Sequence, residues 1–74
     1  MTLEELEALR VSQGGKCAIC SVDLKEGKQT HIDHDHQTGR VRGLLCHHCN
    51  PGLGNFKDNV ETLQRAIDYL RKNA

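Results

Sequence analysis

Aromatic side chains are nearly missing from this sequence: its 74 residues include one phenylalanine, one tyrosine and no tryptophan. A core built without them is aliphatic and small. A single core in so short a chain supplies only about 3–5 kcal/mol of stability. A disulfide, a metal or a partner chain must therefore help. A charge excess of either sign is also missing, because ten basic and ten acidic residues cancel. That argues against nucleic-acid binding by bulk charge, although it leaves room for a local basic patch. No apolar run approaches the ~20 residues of a membrane span, so no membrane partner is expected. The start, MTLEELEALR, is acidic and amphipathic, which does not suit a signal peptide. Linkers, low-complexity segments and long repeats are absent too, and residues 1–74 read as one domain. The simplest expectation is a soluble intracellular, cytoplasmic protein, where thiols stay reduced.

What is present begins with a helix. Thr2 is a candidate cap with Glu5 three residues on, and Leu3, Leu6, Ala8, Leu9 and Val11 form an apolar stripe running to about Gln13. Gly14 and Gly15 end it. Ser21 to Thr30 is polar, with a turn at Gly27. His31–His36 and Arg40–Leu45 read as two extended runs joined by the turn Gln37-Thr38-Gly39, a candidate hairpin. Asn50 and Pro51 suit the cap and first position of a short helix weakened by Gly52 and Gly54. A last helix is expected to begin at Asp58, with Glu61 completing a capping-box spacing. Its buried stripe would be Val60, Leu63, Ala66, Ile67 and Leu70, with Arg71 and Lys72 at the C-terminal end.

Four cysteines form the strongest pattern. Cys17 and Cys20 make one C-x₂-C knuckle, and Cys46 and Cys49 make a second after 25 intervening residues. Two such pairs match a tetrahedral Zn²⁺ site. Two disulfides would require an oxidising compartment that nothing in the sequence suggests. A thioredoxin-like redox pair would need a βαβ pattern that is not there. Four thiolates close the coordination sphere, so the zinc is expected to be structural, coupled to folding and without an open position for substrate.

Between the knuckles lies His31-Ile32-Asp33-His34-Asp35-His36, in which five of six side chains are imidazole or carboxylate. A solvated polar strand is one reading, and a metal or catalytic site is the other. Arg40 and Arg42 lie just across the turn and share a face of a regular strand, while Asn50 directly follows the last cysteine. The run DHDHQTGRVRGLLCHHCN, preceded by CAIC, resembles the phage recombination endonuclease VII family, a branch of the His-Asn-His nucleases. The likeness extends from the helix before Cys17 to the helix containing Tyr69.

The resemblance implies an α+β fold: a small ββα-metal (His-Me finger) nuclease core with a four-cysteine structural zinc site and flanking helices. It implies a Mg²⁺-dependent DNA endonuclease that hydrolyses phosphodiester bonds by nicking or cutting, with branched DNA among the candidate substrates. Asp33 and Asn50 would hold the catalytic divalent ion, Mg²⁺ or Mn²⁺. His34 would be the general base, for which a neutral imidazole is suited. Consecutive strand residues face opposite ways, so Asp33 and His34 can serve one site only if the strand ends or bulges between them. His36, the fourth catalytic candidate, would contact the phosphate or orient other groups. Arg40 and Arg42 would contact DNA phosphates, with Lys16, Lys25, Lys28 and Lys57 as extensions of the patch.

Three side chains fall outside these roles: His31 reads as surface or hairpin packing, and His47 and His48 as exposed, with DNA contact as their candidate use. Many His-Asn-His members carry an asparagine before the second cysteine pair to orient the base. Val41-Arg42-Gly43-Leu44-Leu45 has none, which fits the endonuclease VII branch and leaves the base to be oriented another way. The competing reading is a zinc-knuckle module that binds nucleic acid or protein without cutting, for which Asp33, His34 and Asn50 would have no use. The oligomeric state stays open; the exposed flanks of the first and last helices are the surfaces a homodimer would use.

Overall fold

The computed structural model describes residues 1–24 and 30–74. The turn expected at Gly27, and Lys25 and Lys28 of the basic patch, lie outside the described residues. The elements run α1 (Leu3–Ser12), β1 (Thr30–His34), β2 (Val41–Cys46), α2 (Cys49–Asn55) and α3 (Val60–Lys72). Among the described residues the fold is α+β: a two-stranded antiparallel sheet with three helices.

Helix α1 begins as its sequence demands. Thr2 Oγ1 accepts the Glu5 N–H at 3.1 Å, and the Glu5 carboxylate accepts the Thr2 N–H at 3.2 Å. Those bonds hold the Glu5 carboxyl below its usual range. At the other end Gly14 and Gly15 take φ of 66° and 70°, a region that glycine enters without a Cβ penalty. The chain then turns into the first knuckle, where the Cys17 N–H donates to the Val22 carbonyl at 2.9 Å.

The hairpin forms with a register of Thr30 opposite Cys46, His31 opposite Leu45, Ile32 opposite Leu44 and Asp33 opposite Gly43. Asp35 Oδ1 closes its turn by accepting N–H bonds from Gln37 (2.8 Å) and Thr38 (3.1 Å). These hydrogen bonds hold the Asp35 carboxyl below its ordinary 3.8.

The core is small, as the shortage of aromatics implied. Cys17, Leu24, Leu44, Leu45 and Cys46 are buried, Leu44 completely, and Leu6, Leu9, Cys49 and Leu53 pack around them. Consecutive burial of Leu44, Leu45 and Cys46 shows that both faces of β2 are covered. Gln13 stitches α1 to this strand. Its Oε1 accepts the Leu44 N–H at 2.9 Å, and its Nε2 donates to the Leu44 carbonyl at 3.0 Å. Gly43 makes room for that contact, since a Cβ there would stand 3.1 Å from Gln13 Oε1.

Three expectations need correction. Asn50 does not cap α2; the helix begins at Cys49, with His48 at the cap position. The second knuckle already turns helically, and the Cys49 N–H reaches Cys46 Sγ at 3.4 Å. Pro51 is tolerated because the first N–H groups of a helix have no intrahelical partner. Helix α3 begins at Val60 rather than Asp58, capped by Asn59 Oδ1, which accepts the Thr62 N–H at 2.9 Å. Finally, the apolar stripe of α3 is not buried. Leu63 and Ala66 are half-buried, while Val60, Ile67 and Leu70 are exposed. A two-stranded sheet already covered by α1 and α2 has no apolar face left for a third helix. Part of the α1 stripe is likewise uncovered, at Leu3 and Val11.

Candidate functional site

The four cysteine sulfurs converge. The Sγ atoms of Cys17, Cys20, Cys46 and Cys49 all lie within 4.8 Å of one another. Cys20 Sγ and Cys46 Sγ are 3.7 Å apart, close to the edge of about 3.8 Å of a tetrahedron with 2.3 Å metal–sulfur arms. Backbone N–H groups aim at the sulfurs, as from Cys46 to Cys17 Sγ at 3.4 Å. Burial raises the Cys17 thiol, but N–H bonds from Cys20, Cys46 and Ile19 outweigh it and bring it down to about 6. Bonds from the Cys49 and His48 N–H groups lower Cys46. Burial, followed by hydrogen bonding with the neighbouring thiols, pushes Cys49 up to about 12. One thiolate forms readily and the last resists, as four like acids in contact must behave without a cation among them. This donor set is positioned for a metal ion.

The second knuckle presents His47 and His48, both exposed, with ring centroids 4.1 Å apart. Neither is among the residues that converge on the cysteine cluster. His31 is half-buried in the hairpin opposite Leu45, in keeping with a packing role.

Next to the cysteine cluster lies an open cleft of about 250 Å³ lined by Ala18, Ile19, Asp33, Arg42, Gly43, Leu45 and Leu53. Asp33 is the one buried residue of β1 and the one buried charged residue among those described. The register slips at the step from Asp33 to His34, where the sequence required an irregularity: Asp33 faces Gly43, His34 faces Val41, and Arg42 is left without a cross-strand partner. Strand β1 ends at His34, which is exposed and does not line the cleft. Asn50 is half-buried on α2, three positions before Leu53 and hence on the helix face that includes this cleft-lining residue.

Arg42 dominates the electrostatics of the cleft. Its Nε donates to Asp33 Oδ2 at 2.7 Å and its Nη2 to Asp33 Oδ1 at 3.0 Å, a bidentate pair. The same Nη2 reaches Asp58 Oδ2 at 3.1 Å. Hydrogen bonds from Asp33 and then Asp58 raise the guanidinium above its ordinary range. Arg42 is therefore engaged by two carboxylates, whereas Arg40 is exposed in the turn just before β2. His36 is exposed, with Nε2 3.9 Å from Asp58 Oδ2. Lys16 is ion-paired to Asp23 at 2.6 Å.

Asp58 is the functional-site neighbour that sequence reasoning missed. It looked like the start of a helix, and its only local signal was that Asn59 beside it is the better cap. No helix of the chain is long and apolar enough to cross a membrane among the described residues.

Comparison with known proteins accords with this geometry. A model of the recombination endonuclease VII family matches residues 1–72. The Gene 59 protein of Mycobacterium phage D29 is 53% identical over 73 residues, which cover 97% of this chain and 44% of that protein. The Gene 59 protein of Mycobacterium phage L5 is 51% identical over 59 residues, covering 78% of this chain and 36% of that protein. The chain thus spans less than half the length of these curated relatives. With the family pattern matched almost from end to end, and its cysteines gathered in space, the chain belongs to the recombination endonuclease VII family.

Proposed function

We propose that this chain is the nuclease domain of a divalent-metal-dependent DNA endonuclease of the His-Asn-His, or ββα-metal, type. The observation that carries the reading is the placement of Asp33: a buried carboxylate in an open cleft, at the strand irregularity, beside the four-cysteine cluster. Strands β1 and β2 followed by α2 form the ββα unit. The four cysteines hold a structural Zn²⁺ that fixes β2 to the start of α2.

Asp33 and Asn50 hold the catalytic ion, Mg²⁺ or Mn²⁺. The donors suit such an ion, since a carboxylate and an amide oxygen are hard oxygen ligands. A bound ion supplies charge neutralisation at the phosphate and at the leaving oxygen. His34, at the exposed end of β1, takes the proton from the attacking water. Arg40 contacts the DNA backbone, and His36 contacts the phosphate or orients its neighbours. Arg42 joins the phosphate contacts only with its guanidinium released from Asp33.

One observation favours a second reading. Both oxygens of Asp33 are taken by Arg42, as suits a zinc-stapled module that binds nucleic acid without cutting. A plasmid-nicking assay separates the two. Metal-dependent nicking that is lost in His34→Ala, with zinc content and fold retained, supports the nuclease. Wild-type cleavage rates in that variant would show that the base is assigned wrongly. No cleavage with any divalent ion by the folded, zinc-loaded protein would favour the binding module.

A further inference from the structure

Asp58 has no local structural task. Asn59 caps α3, and the Asp58 carboxylate instead accepts a hydrogen bond from Arg42. Its backbone is held in an uncommon conformation, with φ of 57° at Lys57 and 55° at Asp58. Two consecutive non-glycine residues in the left-handed region are costly and persist only where surrounding contacts hold them. Here the Asp58 N–H donates to the Leu53 carbonyl at 2.9 Å, and the Lys57 N–H to the Gly54 carbonyl at 2.9 Å, so the turn is tied to α2. The strain delivers a carboxylate to the one guanidinium that occupies Asp33.

Arg42 is the residue skipped by the β-register, so its side chain is held by the two carboxylates and not by a cross-strand partner. A bidentate guanidinium on Asp33 occupies both oxygens that an ion would use and adds a positive charge beside it. Asp58 changes that competition. Nη2 is already shared between the two carboxylates, at 3.0 Å from Asp33 and 3.1 Å from Asp58. Leaving Asp33 therefore does not strand the cation without a partner.

We infer that Arg42 and Asp58 form a latch on the divalent-ion site: Arg42 holds Asp33 in the ion-free protein, and Asp58 is the acceptor to which it withdraws when a divalent cation takes Asp33. The inference rests on the reading of Asp33 as an ion ligand. Arg42 and Asp58 are positioning residues that act on the ion through Asp33.

The test is Mn²⁺ binding to the zinc-loaded protein, followed by the electron paramagnetic resonance of free Mn²⁺, with zinc content and thermal unfolding checked for every variant. Asp33→Asn locates the bound ion and should abolish the site. Arg42→Gln should tighten Mn²⁺ binding by about tenfold, the scale on which one neighbouring charge shifts an ionic equilibrium. Asp58→Asn should weaken it by about fivefold, because the guanidinium then has only Asp33 to hold. In the Arg42→Gln background the same Asp58→Asn change should have little effect, which a merely structural or directly ligating Asp58 would not produce.

Unchanged or weaker binding in a folded Arg42→Gln variant overturns the latch. So does an Asp58→Asn effect that persists in full without Arg42; if Arg42→Gln does not fold, an undiminished affinity in Asp58→Asn overturns it as well. Mn²⁺ binding insensitive to Asp33→Asn overturns the ion assignment itself, and with it the latch. Those results are distinguishable from a failure of the latch alone, in which Asp33 still matters.

Discussion

Replacing Cys46 by serine tests what holds this fold together. Only three leucines, Leu24, Leu44 and Leu45, are buried beside Cys17 and Cys46. Full burial of a leucine contributes about 1.5–3 kcal/mol, so the three together contribute about 5–9 kcal/mol. A structural zinc site in a small domain contributes about 10–16 kcal/mol at neutral pH. A zinc ion held by the four cysteines, as proposed, would outweigh the apolar core, and a core this small leaves little to fall back on. Cys46 is also central to the geometry: it is 3% exposed, its N–H donates to Cys17 Sγ, and its own sulfur accepts the Cys49 N–H. Serine retains the size but supplies a poor zinc ligand. The expected outcome is loss of the cooperative thermal transition in circular dichroism and loss of stoichiometric zinc by elemental analysis. Wild-type protein treated with a strong zinc chelator should unfold in the same way and recover when Zn²⁺ is restored. A variant that keeps the wild-type midpoint and transition width without zinc would refute this account of stability.

Further outcomes follow from the same structure. Gln13→Ala removes both partners of the Leu44 backbone and should cost about 2 kcal/mol, read as a lowered urea midpoint; an unchanged midpoint would mean that water replaces the carboxamide. Leu70→Gln should shift stability by no more than about 0.5 kcal/mol in this chain, because Leu70 is 68% exposed on an uncovered helix. Zinc uptake should depend steeply on pH. Cys17, at about 6, is a thiolate at neutral pH, whereas Cys49, at about 12, is not. Binding near pH 7.5 should therefore expel the Cys49 proton, and below pH 6 the Cys17 proton as well, so affinity falls as pH falls. Calorimetry in buffers of different ionisation enthalpy counts the protons, and a pH-independent affinity would contradict the thiolate assignment.

Much of the fold was legible in the chain because it rests on short-range signals. The α1 capping box spans four residues, the glycine stop two, and the hairpin turn is closed by Asp35 acting on Gln37 and Thr38. The break between Asp33 and His34 was legible as well, since strand alternation forbids two neighbours from serving one site. Helix starts were less so: Asn50 looks like a cap, but the knuckle before it had already begun the helix at Cys49. Periodicity marked the stripe of α3 correctly as apolar, yet amphipathicity does not say what, if anything, covers the face.

The sequence by itself determined the two cysteine pairs, the hairpin between them and the family, and it nominated Asp33, His34 and Asn50 as catalytic candidates. These follow from spacing, which short-range geometry converts directly into structure. Only the tertiary structure decided that Arg42 occupies Asp33, that Asp58 shares it from a strained turn, and that Gln13 pairs with Leu44. Those contacts join residues 9, 16 and 31 positions apart. Such pairings depend on where the zinc knuckles, the skipped register and the packing of α2 bring distant segments together, and no local propensity encodes that meeting.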